Sequence, residues 1–287
     1  MIGEEKTVGQ RALVVIASYG LTELTHAAVA DVLRERSLAR VLVVDNRGDY
    51  RAVDDEEIMR PPDNIGWLRA SNEGIRAALR SGLETVILLN NDTRLSDGCI
   101  EGLLAAQDAG PCAVIAPLYD DDAFAAQHHD LTGPLSSFQP RAEEFDASIV
   151  DGTCVLIPTT LARVVGLFDE RRFGMHGWGG IDDYCIRARR LGYRVAITRR
   201  SFVQHFRGST AAAAGSRYEH FARSELLVGM AQKYGPRWWE NFDQGVFVPV
   251  TRRESLTAVV RHLQDRLGLA GVEWRRLVPG GHQRQSD

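Results

Sequence analysis

No stretch of this chain approaches the roughly 20 consecutive apolar residues that a bilayer-spanning helix needs, because charged residues interrupt every hydrophobic run. Residues 1–10 are polar and mixed in charge, with no basic segment leading into an apolar one, so no secretory signal is expected and the cytoplasm is the expected compartment. Cysteine is sparse. Cys99, Cys112, Cys154 and Cys185 are too scattered for a zinc knuckle or a small disulfide framework and read as reduced, mostly buried thiols. A positive excess is lacking too: 34 Lys and Arg against 38 Asp and Glu leave a net charge of -4, which argues against a surface built to neutralise a nucleic-acid backbone or an anionic membrane. There is no internal repeat, and no low-complexity block beyond the alanines at 211–214.

What is present is the balance of an ordinary globular protein, 44% hydrophobic and 25% charged over 287 residues, enough for one large α/β domain with or without a helical extension. Residues 11–18 (RALVVIAS), 41–45 (VLVVD) and 85–89 (TVILL) are short apolar runs rich in β-branched residues, as expected of strands covered on both faces. Helices are predicted over 22–36 and 70–80, and a further strand over 113–116. This alternation predicts a Rossmann-like, mainly parallel sheet flanked by helices, with ligands bound beyond the carboxyl ends of the strands. Residues 119–145, acidic and His-containing (DDDAFAAQHHD), read as irregular structure over that site. Strands follow over 149–157 and 194–197 and a helix over 181–191, which Gly192 stops. Residues 218–234 and 252–267 are candidate helices, and the last residues are expected to fray. The expected organisation is a nucleotide-binding half (9–118), a metal, catalytic and acceptor half of the same domain (119–215), and a C-terminal helical extension (216–287).

Three segments could carry chemistry. In LLNNDT (88–93) an apolar strand ends in two amides and a carboxylate, and Asp92 could coordinate a hard cation, Mg²⁺ or Mn²⁺, that bridges two phosphates; as a lone motif it is equally an ordinary turn. In HGWGGIDDYCIRAR (176–189) two carboxylates stand ahead of a helix, with Trp178 offering a flat face to a sugar ring. Asp182 or Asp183 could be a general base, its pKa raised by its like-charged neighbour, or either could simply cap the helix. In VQHFRGST (203–210) His205 could complete a metal site, and Arg207, Ser209 and Thr210 could hold phosphate oxygens.

Taken in order, VVIASYG, LVVDNRG, NIGWLRASNEGI, LLNNDT, VDGTCVLIP, GLFDERRFG, WGGIDDYCIRARRLGYRV and HFRGS resemble the GT-A glycosyltransferases, specifically the inverting family 2 with its rhamnosyltransferase-like members, from about residue 12 to about residue 234. The resemblance implies a GT-A fold and transfer of a hexose from a nucleotide sugar, UDP- or dTDP-linked, to an acceptor on a small molecule, a carrier-bound intermediate or a glycan. It implies that Ser18, Tyr19 and Asn46 line the nucleotide pocket and that Asp45 accepts a hydrogen bond from the base. Asn64, Gly66, Arg69 and Asn72 would lie along the ribose and diphosphate. Asn91 and Asp92 would end the family's D-x-D motif, Asp151, Gly152 and Trp178 would meet the donor sugar, His205 would join Asp92 at the metal, and Asp183 is favoured over Asp182 as the base.

Three departures stand out: Asn90 replaces the first D-x-D carboxylate, Gly20 removes one side chain from the pocket, and Asp182-Asp183 replaces Glu-Asp at a spacing to Arg187 one or two residues short. A sugar nucleotidyltransferase is the competing enzyme reading, but IASYGLTEL lacks the basic, glycine-rich phosphate loop such enzymes need. A non-catalytic nucleotide-sugar-binding protein is the other. Beyond residue 234, Trp238 and Trp239 are candidates for acceptor contact or for packing, and Arg275 and Arg276 for a homodimer or membrane-surface contact.

Overall fold

The apolar runs condense into one nine-stranded sheet. The computed structural model describes residues 9–120, 125–206, 218–235 and 237–241; the expected helix at 252–267, the alanines at 211–214 and the side chains of Arg207, Ser209, Thr210, Trp239, Arg275 and Arg276 lie outside them. All the described residues fall in one compact unit, Met1–Pro249.

Strands β1 (Ala12–Ser18), β2 (Ala39–Asp45), β3 (Glu57–Met59), β4 (Thr85–Asn90), β5 (Thr93–Leu95), β6 (Ala113–Tyr119), β7 (Glu144–Asp146), β8 (Cys154–Pro158) and β9 (Arg194–His205) lie in the order β3-β2-β1-β4-β8-β6-β9-β5, with β7 also pairing β9. Strands β1 to β4, β6 and β9 run one way, and β8, β5 and β7 oppose their neighbours. The β-branched residues of β1, β2 and β4 are buried almost without exception, as burial on both faces requires. The helices are α1 (Thr22–Leu33), α2 (Gly66–Arg80), α3 (Cys99–Ala109), α4 (Thr159–Val165), α5 (Gly180–Arg190) and α6 (Tyr218–Tyr234). This mixed α/β architecture, with a mainly parallel sheet flanked by helices, is the one expected from the sequence.

Several boundaries differ from the sequence expectation. Helix α1 ends three residues early and α2 begins four early, because Gly66, at φ +74°, lets the chain turn where a Cβ would fall 2.3 Å from the Met175 carbonyl oxygen. Strand β8 starts only at Cys154, and residues 149–153 form a turn that presents Asp151. Strand β9 runs on eight residues past Ile197, through Arg199 and Arg200, whose charges pair with Glu143 and Glu144. That extension carries His205 to the edge of the sheet, opposite Thr93 of β5.

Candidate active site

The turn after β4 and the end of β9 bring Asp92 and His205 together. The His205 Nε2 atom stands 3.4 Å from the Asp92 carboxylate, both side chains are almost wholly buried, and the Phe206 amide donates to the Asp92 carbonyl at 2.9 Å. On its other side the ring meets Thr153 Oγ1 at 3.3 Å, and the His205 amide donates to Asp120 at 2.9 Å. Burial lowers the pKa of His205, but the hydrogen bond and charge of Asp92, with Asp151 and Asp120 nearby, outweigh it and the net shift is upward. Two ligands each about 2.1 Å from one ion stand roughly 3.0–3.4 Å apart, so this carboxylate and imidazole fit as adjacent ligands of one divalent cation. Among the described residues no third His, Cys, Asp or Glu completes a cluster.

Asp151 accepts from both the amide and the hydroxyl of Thr153, while its own amide donates to Gln127 at 2.7 Å, tying the turn to the 125–145 segment. Its charge acts on His205 and also on Asp182 at the start of α5. The Asp92–His205 pair and the acidic pair of α5 therefore both lie within reach of the Asp151 charge.

The two acidic residues differ. Asp183 is fully buried and saturated: Arg187 Nε bonds it at 2.9 Å, Lys233 Nζ at 2.7 Å and the Tyr234 hydroxyl at 2.5 Å. Asp182 is buried with an Oδ1 that has no hydrogen-bond partner, and its pKa is pushed up to about 7 by burial first, then by Asp151 and Asp183. The carboxylate favoured from the sequence is thus the one locked into the helix packing, and its neighbour holds the unspent oxygen.

On the nucleotide side, Ser18 and Thr25 share a hydrogen bond at 3.1 Å, and the Asn91 amide reaches both Thr25 and the Gly20 carbonyl. Tyr19, expected to line the nucleotide pocket, is exposed just past β1. Asp45 is not open to a base: it accepts from the amides of Arg47, Gly48 and Tyr50 and from Arg60, and its side chain is fully buried. Its role is to fold the loop that follows β2. Asn46 accepts from the Ile65 amide at 3.1 Å and Asn64 from the Gly66 amide at 2.9 Å, together shaping the entry to α2. Asn72, expected along the diphosphate, is likewise committed, its amide bracketing the backbone of Phe168 in both directions. Arg69 is exposed, 4.0 Å from Glu170. Gly152 packs against Ile181 and Trp67, and Trp178 is 37% exposed.

Residues without a sequence signal of their own complete the arrangement. Trp67 donates from its indole to the Asn90 side chain at 2.9 Å and from its backbone to Met175, joining the end of β4 to the loop before α5. Helix α6 straps that loop: Glu225 bonds His176 at 2.9 Å, and Lys233 bridges Asp169 and Asp183. Tyr218 sets its ring against His176 at 4.9 Å. Trp67 lay inside a quoted motif; Lys233 and Tyr234 lie 50 and 51 residues from Asp183, where no local pattern could reveal them. Trp238 is buried, which fits packing.

Three comparisons bear on this arrangement. No family model matches the sequence. The uncharacterized proteins Mb1552 of Mycobacterium bovis and Rv1525 of Mycobacterium tuberculosis are each 33% identical to it over 225 residues, covering 78% of this chain and 85% of the relative. Its structure is similar to that of GalNAc-T7 with UDP, GalNAc and Mn²⁺ (TM-score 0.58, 12% identity, 89% of this chain) and to that of S. aureus TarS 1–349 (TM-score 0.51, 11% identity, 93% of this chain and 77% of that one), both GT-A glycosyltransferases. The chain spans 57% of the GalNAc-T7 chain.

Proposed function

We infer a function from the premise that this chain belongs to one family with the mycobacterial relatives and has the GT-A fold: it is an inverting, metal-dependent hexosyltransferase that moves a sugar from a UDP- or dTDP-linked donor to an acceptor nucleophile. The observation that carries this reading is the convergence of the Asp92–His205 pair, Asp151 and Asp182 just beyond the carboxyl ends of β1 and β4, where sheets of this kind bind ligands. GalNAc-T7 was crystallised with UDP and Mn²⁺, in keeping with a nucleotide diphosphate and a divalent cation at such a site.

Asp92 and His205 would hold Mg²⁺ or Mn²⁺, which when bound supplies positive charge to the leaving diphosphate. Tyr19 and the Ser18–Asn91 network would seat the nucleotide, Arg69 would reach a phosphate, and Asp151, Gly152 and Trp178 would contact the sugar. Asp182 takes the acceptor's proton as the acceptor oxygen bonds to the anomeric carbon and the carbon–phosphate-oxygen bond breaks on the opposite face, inverting the centre. A base with a pKa near 7 is ionised often enough to act and basic enough to accept a proton at neutral pH. Asp183, held by Arg187, Lys233 and Tyr234, would fix the first turn of α5 and with it the position of Asp182. The cytoplasm suits this enzyme: Cys99, Cys112, Cys154 and Cys185 are all free, and no helix among the described residues is long and apolar enough to cross a membrane.

Incubation with UDP- and dTDP-hexoses and Mn²⁺ should release the nucleoside diphosphate, slowly by hydrolysis and faster with acceptor, and a chelator should stop it. Binding of every candidate donor without release would favour the non-catalytic reading, and release of pyrophosphate from nucleoside triphosphate and sugar phosphate would favour the nucleotidyltransferase.

A further inference from the structure

Trp67, in the first turn of α2, is wedged among segments that are far apart in the chain. Its backbone amide donates to the Met175 carbonyl at 3.2 Å, and its ring stands edge-on to Phe168 with centroids 5.8 Å apart. The same ring fills the space beside two glycines: a Cβ at Gly177, where φ is +82°, would fall 3.1 Å from it, and one at Gly152 would fall 3.6 Å away. The indole is therefore held in place, and its one polar atom, Nε1, donates to Asn90 Oδ1 at 2.9 Å.

An indole N–H can only donate, so it settles which way the Asn90 amide faces. Turned over, the amide would set N–H against N–H and leave the indole without an acceptor. The backbone of Asn90 is committed as well: its amide donates to the Thr153 carbonyl at 2.8 Å, and its carbonyl accepts from the Thr93 hydroxyl at 2.7 Å. What is left is Nδ2, which has no hydrogen-bond partner among the described residues, on a partly exposed residue at the end of β4, two positions before Asp92. A carboxylate here would also accept from Trp67 but would bring a second, charged oxygen. The amide offers N–H protons and no charge.

We propose that Trp67 is a positioning residue that fixes Asn90 as a hydrogen-bond donor, and that Asn90 Nδ2 binds a diphosphate oxygen of the sugar nucleotide. The inference rests on the glycosyltransferase reading and adds to it the polarity of position 90. Nδ2 donates and cannot accept, so its partner is an atom with a free lone pair. The diphosphate that Asp92 and His205 would hold through a cation offers oxygens with charge and no proton, the acceptors to which such a donor bonds most strongly. A ribose hydroxyl, in contrast, would be served as well by a carboxylate.

The test is calorimetric titration of UDP into the full-length protein at saturating Mn²⁺, comparing the parent with Asn90→Asp, Asn90→Ala, Trp67→Phe and the double variant Trp67→Phe/Asn90→Ala. Asn90→Asp keeps the shape of the side chain and the bond to Trp67 but removes the donor, so UDP should bind about tenfold more weakly or worse, and Asn90→Ala should weaken it too. Trp67→Phe keeps a ring in the wedge and frees the amide to turn. With Asn90 present it should weaken UDP about two- to fivefold, as the competent orientation loses population, and in the Asn90→Ala background it should have no effect. UDP affinity in Asn90→Asp equal to or above that of the parent overturns the proposal, since position 90 then serves the cation or a hydroxyl. A Trp67→Phe loss of the same size in both backgrounds overturns the positioning role, because the ring then acts without Asn90. If the parent itself binds no UDP with Mn²⁺, the donor reading fails; a parent that binds while Asn90→Asp is unaffected sinks the assignment of Asn90 alone.

Discussion

At the scale of single residues the site separates two neighbouring aspartates by what already touches them. Asp182→Asn should lower turnover by about 10²- to 10⁴-fold, the span of general-base contributions, while leaving nucleotide binding intact, as read by kcat against the UDP–Mn²⁺ thermal shift. In the parent enzyme kcat/KM should rise with pH and level off above about 7 as Asp182 ionises. The same group acts on stability in the opposite sense. Its pKa is 3.8 in a model chain and about 7 in the fold, so between those values the folded protein binds more protons and loses stability as pH rises. Asn at 182 removes that loss, and the variant should melt a few degrees above the parent at pH 8 and level with it at pH 4. Lys233→Met tests the other aspartate. It strips one partner from buried Asp183 and should cost about 2 kcal/mol, in the range for hydrogen bonds to charged groups, measured by denaturant unfolding.

Secondary-structure elements were legible where one face decided the pattern. Strands β1, β2 and β4 and helix α6 lie where hydrophobic periodicity put them. The second half of β9 was hidden because Arg199 and Arg200 break its apolar run; both stay partly exposed there and pair with Glu143 and with Glu144 of the neighbouring β7. Strands β3, β5 and β7 have three residues each, too few for a period to register. Helix α3 begins at Gly98, which has no capping side chain; Glu35 serves instead, accepting from the Ile100 and Glu101 amides at 3.1 and 2.7 Å. Nothing in the α3 sequence announces that cap. Glu35→Ala should therefore cost about 1 kcal/mol, the usual price of a lost N-cap, although the change lies 65 residues from the amides it frees. Within the site, Asp92 was placed by its strand end and His205 was joined to it only through the family resemblance, and their side chains do lie 3.4 Å apart, whereas Asp45 and Asn72 turned out to be engaged by nearby backbone groups.

For the whole molecule the decisive variable is metal and nucleotide together. On the proposed reading Asp92 and His205 hold the ion with no third His, Cys, Asp or Glu among the described residues beside them, so cation and diphosphate should bind as a unit, each weak without the other. At a hundredfold excess over its dissociation constant, a ligand specific for the folded state adds about 2.7 kcal/mol. A molecule of this size should then melt roughly 5–10 °C higher with UDP and Mn²⁺ combined, and by much less with either alone; Asp92→Ala should abolish the combined shift. Because His205 is easier to protonate than an ordinary histidine, the cation must displace a proton, and its affinity should weaken steeply below neutral pH.

The twelve residues of β9 impose one more condition. Three neighbours, β6, β7 and β5, clamp the strand along its length before it reaches His205, and side chains on a strand alternate between faces. Past Ile197 the strand bulges by three residues against β6 and regains its register only at Phe202, so deleting or adding one residue between 202 and 205 would turn the imidazole to the opposite side of the sheet and away from Asp92. The four residues from Phe202 to His205 therefore decide which face of the sheet the imidazole occupies.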